Sequence, residues 1–330
     1  MVFFGTPEFA LPTLDALIQS RHPVVGVVTR QDRPRGRGQR TTDTPVKARA
    51  LAAGIPLLQP DRLTDPGFQA ALAALDSDLG VVAAYGKILN ESILATPRLG
   101  LINVHASLLP RYRGAAPVHR AVVNGESETG VTIMRVVKAL DAGPMIATAR
   151  RSIGPDDTGD EVERDLARIG APLLVSVVDA LAAGPVPEVS QDEALATYAH
   201  RLAREDGAVD WMRPARAIHN LIRGLHPWPH AFTYHHGRRL ILLRSRLESS
   251  ASAVSAVPPS PEQPIQSSGE PGPLLIPGTI VDASGDRLFV ATGDGILAIV
   301  ELQAEGRRPM TTREFLAGSR LAAGDALTNG

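Results

Sequence analysis

Three short runs in this chain, 24-VVGVVT-29, 79-LGVVAA-84 and 101-LINV-104, are apolar at consecutive positions instead of alternate ones. Successive side chains of a strand point to opposite faces. A strand that is apolar on both faces must be covered on both, the condition of parallel strands buried inside an α/β layer. The intervening segments supply the cover. Residues 8–19 carry an apolar helical face in Phe9, Leu14, Leu17 and Ile18, and helices are also expected over 45–53 and 66–75. Val2–Phe4 and 55–58 add two shorter strands. Strand and helix alternate through residue 124, which predicts a doubly wound sheet. The first turn, 5-GTPE-8, holds one glycine and no G-x-G-x-x-G, so a dinucleotide fingerprint is absent.

Beyond residue 124 the pattern changes. Runs 129–137 and 145–151 are strand-like and joined by the short link 138-KALDAGPM-145, so they must be antiparallel. That connection carries Asp141, which on its own is a common turn former. A helix is expected from Asp157-Thr158 to about Ala183. At 330 residues the default is two domains. The boundaries read as a first domain over 1–184, a linker over 185–206 lying along the surface, and a second domain over 207–330. In the second domain short strands at 240–247 and 278–300 alternate with Gly/Asp turns, as in a small β-barrel. Between them, 248–273 is rich in Ser, Pro and Gln and reads as a disordered insertion.

Composition narrows the function. The chain has no cysteine, which excludes disulfides, thiolate metal sites and a Cys nucleophile. No apolar run approaches membrane-spanning length and no basic leader precedes the first strand, so no membrane role and a cytoplasmic location are expected. The formal charge of −1 does not indicate a wholly basic nucleic-acid binder. The exception is local. Over 30-RQDRPRGRGQRTTDTPVKAR-49 seven cations face two aspartates, and Pro34, Gly36 and Gly38 forbid a helix through the middle. This long basic loop is about evenly a solvated surface or a phosphate-binding element. His235-His236 reads as a solvated hairpin and not a metal site, because no carboxylate or Cys partner has ligand spacing.

The stretch 101-LINVHASLLPRYRGAAP-117 is the candidate site. Asn103 and His105 are two apart, so they share one face at the C-terminal end of a strand, where open α/β sheets place ligands. Two such residues alone are more often a satisfied turn. The longer strings decide between the readings. VFFGTPEFALPTLDAL (2–17), INVHASLLPRYRGAAPV (102–118), LDAG (140–143), TYAHRLAREDGAVDW (197–211), IRGLHPWP (222–229) and VATGDGILAIVELQAEGRRPM (290–310) resemble those of the bacterial methionyl-tRNA formyltransferases across nearly the whole chain.

The resemblance implies a Rossmann-like N-terminal formyltransferase domain and a smaller OB-like β-barrel C-terminal domain. It implies formyl transfer from 10-formyltetrahydrofolate to the α-amine of initiator methionyl-tRNA, by a monomer without a metal. Carried over by position, the catalytic residues are Asn103, His105 and Asp141. Ser107, Leu108, Leu109 and Pro110 match the folate-side loop. Arg33, Arg35, Arg37, Arg40 and Lys47 match the basic segment that approaches the tRNA, with Arg37 in the R-G position. Three departures stand out: the chain begins inside the family's first strand, Arg35 and Gln39 alter the loop's usual charge, and 248–273 is not part of the family pattern.

Overall fold

The computed structural model describes residues 1–35, 40–248 and 275–329. They form two compact units. The first comprises Met1–Val118, Ser127–Ile153 and Glu161–Arg201, and the second His119–Glu126, Gly154–Asp160 and Leu202–Gly330. The segment read as a linker is therefore divided, with 185–201 belonging to the first unit. The basic loop's Arg37 and the insertion expected at 248–273, from residue 249 on, lie outside the described residues.

In the first unit β1 (Val2–Gly5) leads through α1 (Leu11–Gln19) to β2 (Gly26–Val28). A short antiparallel pair follows, β3 (Arg33–Arg35) with β4 (Arg40–Thr42). The chain continues through α2 (Pro45–Ala52), β5 (Leu57–Leu58), α3 (Pro66–Ala74), β6 (Gly80–Ala83) and α4 (Glu91–Leu94) to the central β7 (Leu101–His105). Side-chain caps from Thr44, Asp65 and Asn90 start α2, α3 and α4, and proline follows Thr44 and Asp65 at the first helical position. After β8 (Arg113–Gly114) and α5 (Pro117–Val123), which belongs to the second unit from His119 on, come the long strands β9 (Glu128–Arg135) and β10 (Met145–Ser152).

The sheet order is β10-β9-β7-β6-β1-β2-β5. The five strands from β5 to β7 are parallel, while β9 joins β7 and β10 joins β9 antiparallel. The doubly wound expectation and the antiparallel edge both hold. Val2, Phe4, Val28 and Leu101 are buried with Phe68 and Leu72 in one core cluster, as strands apolar on both faces require.

Helix α6 (Gly159–Ala183) corrects one expectation, for by length and composition it could cross a membrane. One face of it is buried. Val162, Leu166 and Leu174 are fully enclosed, while Asp165 on another face pairs with Arg151 at 2.7 Å. A Cβ on Gly170 would lie 3.0 Å from Val104, so α6 rests directly on the central strand.

The second unit contains α7 (Ala215–Gly224) and an antiparallel sheet of β12 (Ala231–His235), β13 (Arg238–Leu247), β16 (Ile296–Ala304), β15 (Arg287–Ala291) and β14 (Ile280–Ser284) in that order. A last short strand, β17 (Met310–Thr311), pairs with β16 and opens α8 (Thr312–Ala317). The two edges are joined by the C-terminal segment, which bridges β12 at Tyr234–Thr328 and meets the start of β14 at Thr279–Ala326 and through Ile280 N–H to Asp325 O. Sheet edges left unpaired are a liability, and this segment covers both.

Three histidines of this unit, His119, His219 and His230, have their pKa pushed down, in each case chiefly by burial. His219 is satisfied as a neutral ring: Nε2–H donates to Pro155 O at 2.9 Å and Nδ1 accepts from the Ser245 hydroxyl at 3.0 Å. A group whose folded pKa lies below its unfolded value binds more protons when unfolded, so its contribution to stability is lost as pH falls. The unit is expected to lose urea resistance as pH drops below the ordinary histidine value of 6.5. Both tryptophans, Trp211 and Trp228, lie in this unit, so their fluorescence in urea at pH 7.5 and 5.5 reads it out.

Candidate active site

β7 ends the parallel part of the sheet, and the chain leaves it into the Ser107–Pro110 turn. Asn103 is in register with Val82 on β6 and Met134 on β9, and His105 with Thr132 on β9. Thr132 also fixes the turn: its hydroxyl donates to Ser107 O at 2.7 Å and accepts from Leu109 N–H at 3.2 Å. The Ser107 hydroxyl donates to Arg111 O at 2.7 Å, and Leu109-Pro110 is cis. The four residues expected to face the folate thus form one pinned turn directly after His105.

His105 is 5% exposed and is held from both sides. Its Nε2 lies 3.0 Å from Tyr112 O. A carbonyl only accepts, so Nε2 carries a hydrogen and Nδ1 is the ring nitrogen left to face Asp141. Nδ1 lies 3.7 Å from Asp141 Oδ2. The structure therefore brings His105 and Asp141 together, 36 positions apart in the chain, through the β9–β10 connection.

Asp141 has a left-handed backbone, φ +48°, and its Oδ2 accepts from Gly114 N–H at 2.8 Å. The motif around it is sterically dictated. A Cβ on Gly143 would sit 1.9 Å from Arg135 O, so only glycine permits the tight connection. Gly114 has φ +115° and a Cβ there would lie 2.8 Å from Ala199 O, so the donor that holds Asp141 also requires glycine.

A strap from the first unit's C-terminal segment buttresses this arrangement. β11 (Tyr198–Ala199) pairs with β8, and Tyr112 N–H donates to the Thr197 hydroxyl at 2.9 Å. Gln191 donates to both Asp141 O and Gly143 O at 2.8 Å. Arg113, only 1% exposed, donates to Gln191 Oε1 and to both carboxylate oxygens of Glu193 at 2.7–3.0 Å. The Glu193 partner raises the guanidinium's pKa and, in return, lowers that of Glu193. Arg113, Gln191, Glu193 and Thr197 were not singled out from sequence. Arg113 and Thr197 lie in the strings INVHASLLPRYRGAAPV and TYAHRLAREDGAVDW, while Gln191 and Glu193 lie in none of those quoted.

The basic loop divides. Arg33, Arg35 and Arg40 lie on the paired strands β3 and β4, with Arg35 opposite Arg40. Lys47 is not a free cation. It is ion-paired to Asp32 and, at 2.8 Å, to Asp43, and its backbone N–H bonds to the Thr44 cap. Of the second unit's arginines, Arg239 stacks over Phe232 at 4.0 Å, Arg308 pairs with Glu314 at 2.9 Å and Arg244 approaches Glu301 at 3.8 Å. The reading of His235-His236 needs correction. A carboxylate does stand beside them: Asp325 Oδ2 is 3.1 Å from His235 Nε2, across 90 positions that no spacing rule spans.

A donor amide and a histidine–carboxylate pair at the C-terminal end of an α/β strand are groups that can assist attack on a carbonyl-type carbon. The chain belongs to the formyl transferase family, whose model matches residues 1–178 and whose C-terminal domain model matches residues 201–320. Its relatives over nearly the whole chain include methionyl-tRNA formyltransferases. That of Heliobacterium modesticaldum is 45% identical over 324 residues, 98% of each chain. That of Moorella thermoacetica is 42% identical over 327 residues, 99% of this chain and 98% of its own. The fold is shared with an N-formyltransferase from Helicobacter canadensis solved with folinic acid and dTDP-3-aminofucose, at TM-score 0.64 and 15% identity over 92% of this chain and 98% of that one.

Proposed function

We propose that the chain transfers the formyl group of 10-formyltetrahydrofolate to the α-amino group of initiator methionyl-tRNA, giving N-formylmethionyl-tRNA for translation initiation in the cytoplasm. The observation that carries this reading is the His105–Asp141 pair at 3.7 Å beside Asn103, in a chain that aligns with 98% of a methionyl-tRNA formyltransferase.

When the amine attacks the formyl carbon, the carbonyl oxygen becomes an oxyanion and the nitrogen acquires a proton it must lose. Asn103 serves as the oxyanion donor. His105 has already committed Nε2–H to Tyr112 O, so its Nδ1 is the atom left for proton transfer. A proton taken up there lies against Asp141, whose carboxylate is fixed by Gly114 N–H. Collapse of the tetrahedral carbon expels the folate nitrogen, which takes the proton back from the same pair. The amide, imidazole and carboxylate present fit an acyl acceptor and donor of this kind. The pinned turn Ser107, Leu108, Leu109 and Pro110 serves as the folate side. Arg33, Arg35, Arg37 and Arg40 contact the tRNA backbone, and Lys47 anchors the base of their loop through Asp32 and Asp43.

Incubation with 10-formyltetrahydrofolate and charged initiator tRNA should yield formylmethionyl-tRNA. Transfer to an amino-sugar nucleotide with none to tRNA would refute this substrate. Arg37→Ala is expected to weaken tRNA binding and to lower the slope of log K against log salt by about 0.9 for each phosphate that is no longer neutralised. An unchanged slope rejects the loop assignment. Gln191→Leu removes the two donors that fix the Asp141 connection, and misplacement on that scale is expected to lower kcat about tenfold or more. KM for the folate should stay near the parent value, and a change confined to KM rejects the positioning role.

A further inference from the structure

The β12–β13 hairpin closes through His236 and Gly237, since β12 ends at His235 and β13 begins at Arg238. Both closing residues have positive φ, +48° and +72°. That is the two-residue turn matching hairpin twist, where Asn or Gly is the usual first residue. Histidine in the left-handed region is an uncommon choice with a conformational cost. It has a geometric result. Consecutive side chains on a strand diverge, yet here the backbone turn at His236 brings its ring beside that of His235, with centroids 4.1 Å apart.

Asp325 completes the group from the C-terminal segment. It is firmly placed: its N–H donates to Ala322 O at 3.1 Å, its carbonyl accepts from Ile280 N–H at 2.8 Å, and its carboxylate accepts from Ala322 N–H at 3.0 Å. One ligand atom from each of His235, His236 and Asp325 lies within 4.8 Å of the others.

We propose that His235, His236 and Asp325 form a binding site for a first-row divalent cation, with Zn²⁺ the best match. Two imidazoles and one carboxylate are the donor set such ions take in proteins without thiolates. A tetrahedral ion with bonds of about 2.0–2.1 Å holds its ligand atoms about 3.3 Å apart. The His235–Asp325 separation of 3.1 Å already suits that edge. Rotation of the exposed His236 ring brings in the third ligand, and water takes the fourth position. The site sits where the C-terminal segment joins β12 and β14. A bound ion therefore clips the hairpin tip to the segment that closes the barrel. This role is independent of the proposed formyl-transfer residues, which belong to the first unit.

The test uses full-length protein without a histidine tag, stripped with a chelator and titrated with ZnCl₂ alone by calorimetry, with thermal unfolding followed by tryptophan fluorescence. His236→Asn keeps a residue suited to the turn while removing the ligand, and Asp325→Asn keeps the side chain's shape. We expect one equivalent of zinc bound by the parent, affinity weakened at least about tenfold in each variant, and a zinc-dependent rise in the parent's melting temperature that neither variant shows. Formyl transfer in the absence of zinc should be equal in all three. Absence of a stoichiometric zinc site, or binding and thermal response unchanged by both substitutions, overturns the proposal.

Discussion

Asp141→Asn is expected to lower formyl transfer by about 10²–10⁴-fold, the usual contribution of a positioned acid–base group. The substitution isolates charge from shape. An asparagine oxygen still accepts from Gly114 N–H, which the carboxylate now does at 2.8 Å, so the β9–β10 connection keeps its anchor. Gln191 continues to hold the backbone at residues 141 and 143. The loss is the negative charge 3.7 Å from His105 Nδ1. Without it an imidazolium at that position has no counter-ion, and the amine's proton has a poorer place to go. Single-turnover transfer to charged tRNA, with the melting temperature measured in parallel, decides the matter. A stable variant retaining more than a tenth of the parent rate removes Asp141 from proton transfer.

Asn103→Ala acts on the other half of the reaction. Loss of one preorganised oxyanion donor costs about 10²–10³ in kcat. The donor is not needed to hold the strand, because β7 keeps its main-chain pairing to Val82 and Met134 on either side. Folate and tRNA affinities should therefore remain near parent values while turnover falls. An effect on KM alone would show that Asn103 binds substrate without following the charge that develops on oxygen. The two substitutions report on different atoms of one tetrahedral intermediate, but they share it, so their effects should not add in the double variant.

How much of this was legible follows from the forces involved. The parallel strands were readable because burial on both faces puts apolar residues at consecutive positions, as at Val27–Val28 and Leu101–Ile102. Asn103 and His105 were readable as partners because a strand's period of two puts them on one face. Asp141 needed the extra inference that a short link makes an antiparallel pair, which β9 and β10 bear out. The strap was not legible. Its attachments are Gln191, Glu193, Thr197 and main-chain pairing at Tyr198, and such polar contacts leave no apolar pattern, so 185–201 resembled a surface linker. Nor was the hydrogen bond that fixes the His105 tautomer, because its acceptor is the backbone carbonyl of Tyr112, a group every residue possesses. The His235–Asp325 contact escaped for a third reason, since a pair so far apart in the chain is brought together only by barrel closure.

That closure has a bearing on synthesis. Residues Ala326 and Thr328 bridge β14 and β12, yet the ribosome makes them after every strand they join. The first unit's strap ends by Arg201, so its strands can pair while the second half of the chain is still being translated. In the second unit Val209 already pairs with Phe232, but the rest of the β12 edge and the β14 edge wait for the C-terminal segment to leave the exit tunnel. During that interval β12 and β14 are the places where a nascent chain of this sequence is most exposed to pairing with the wrong partner.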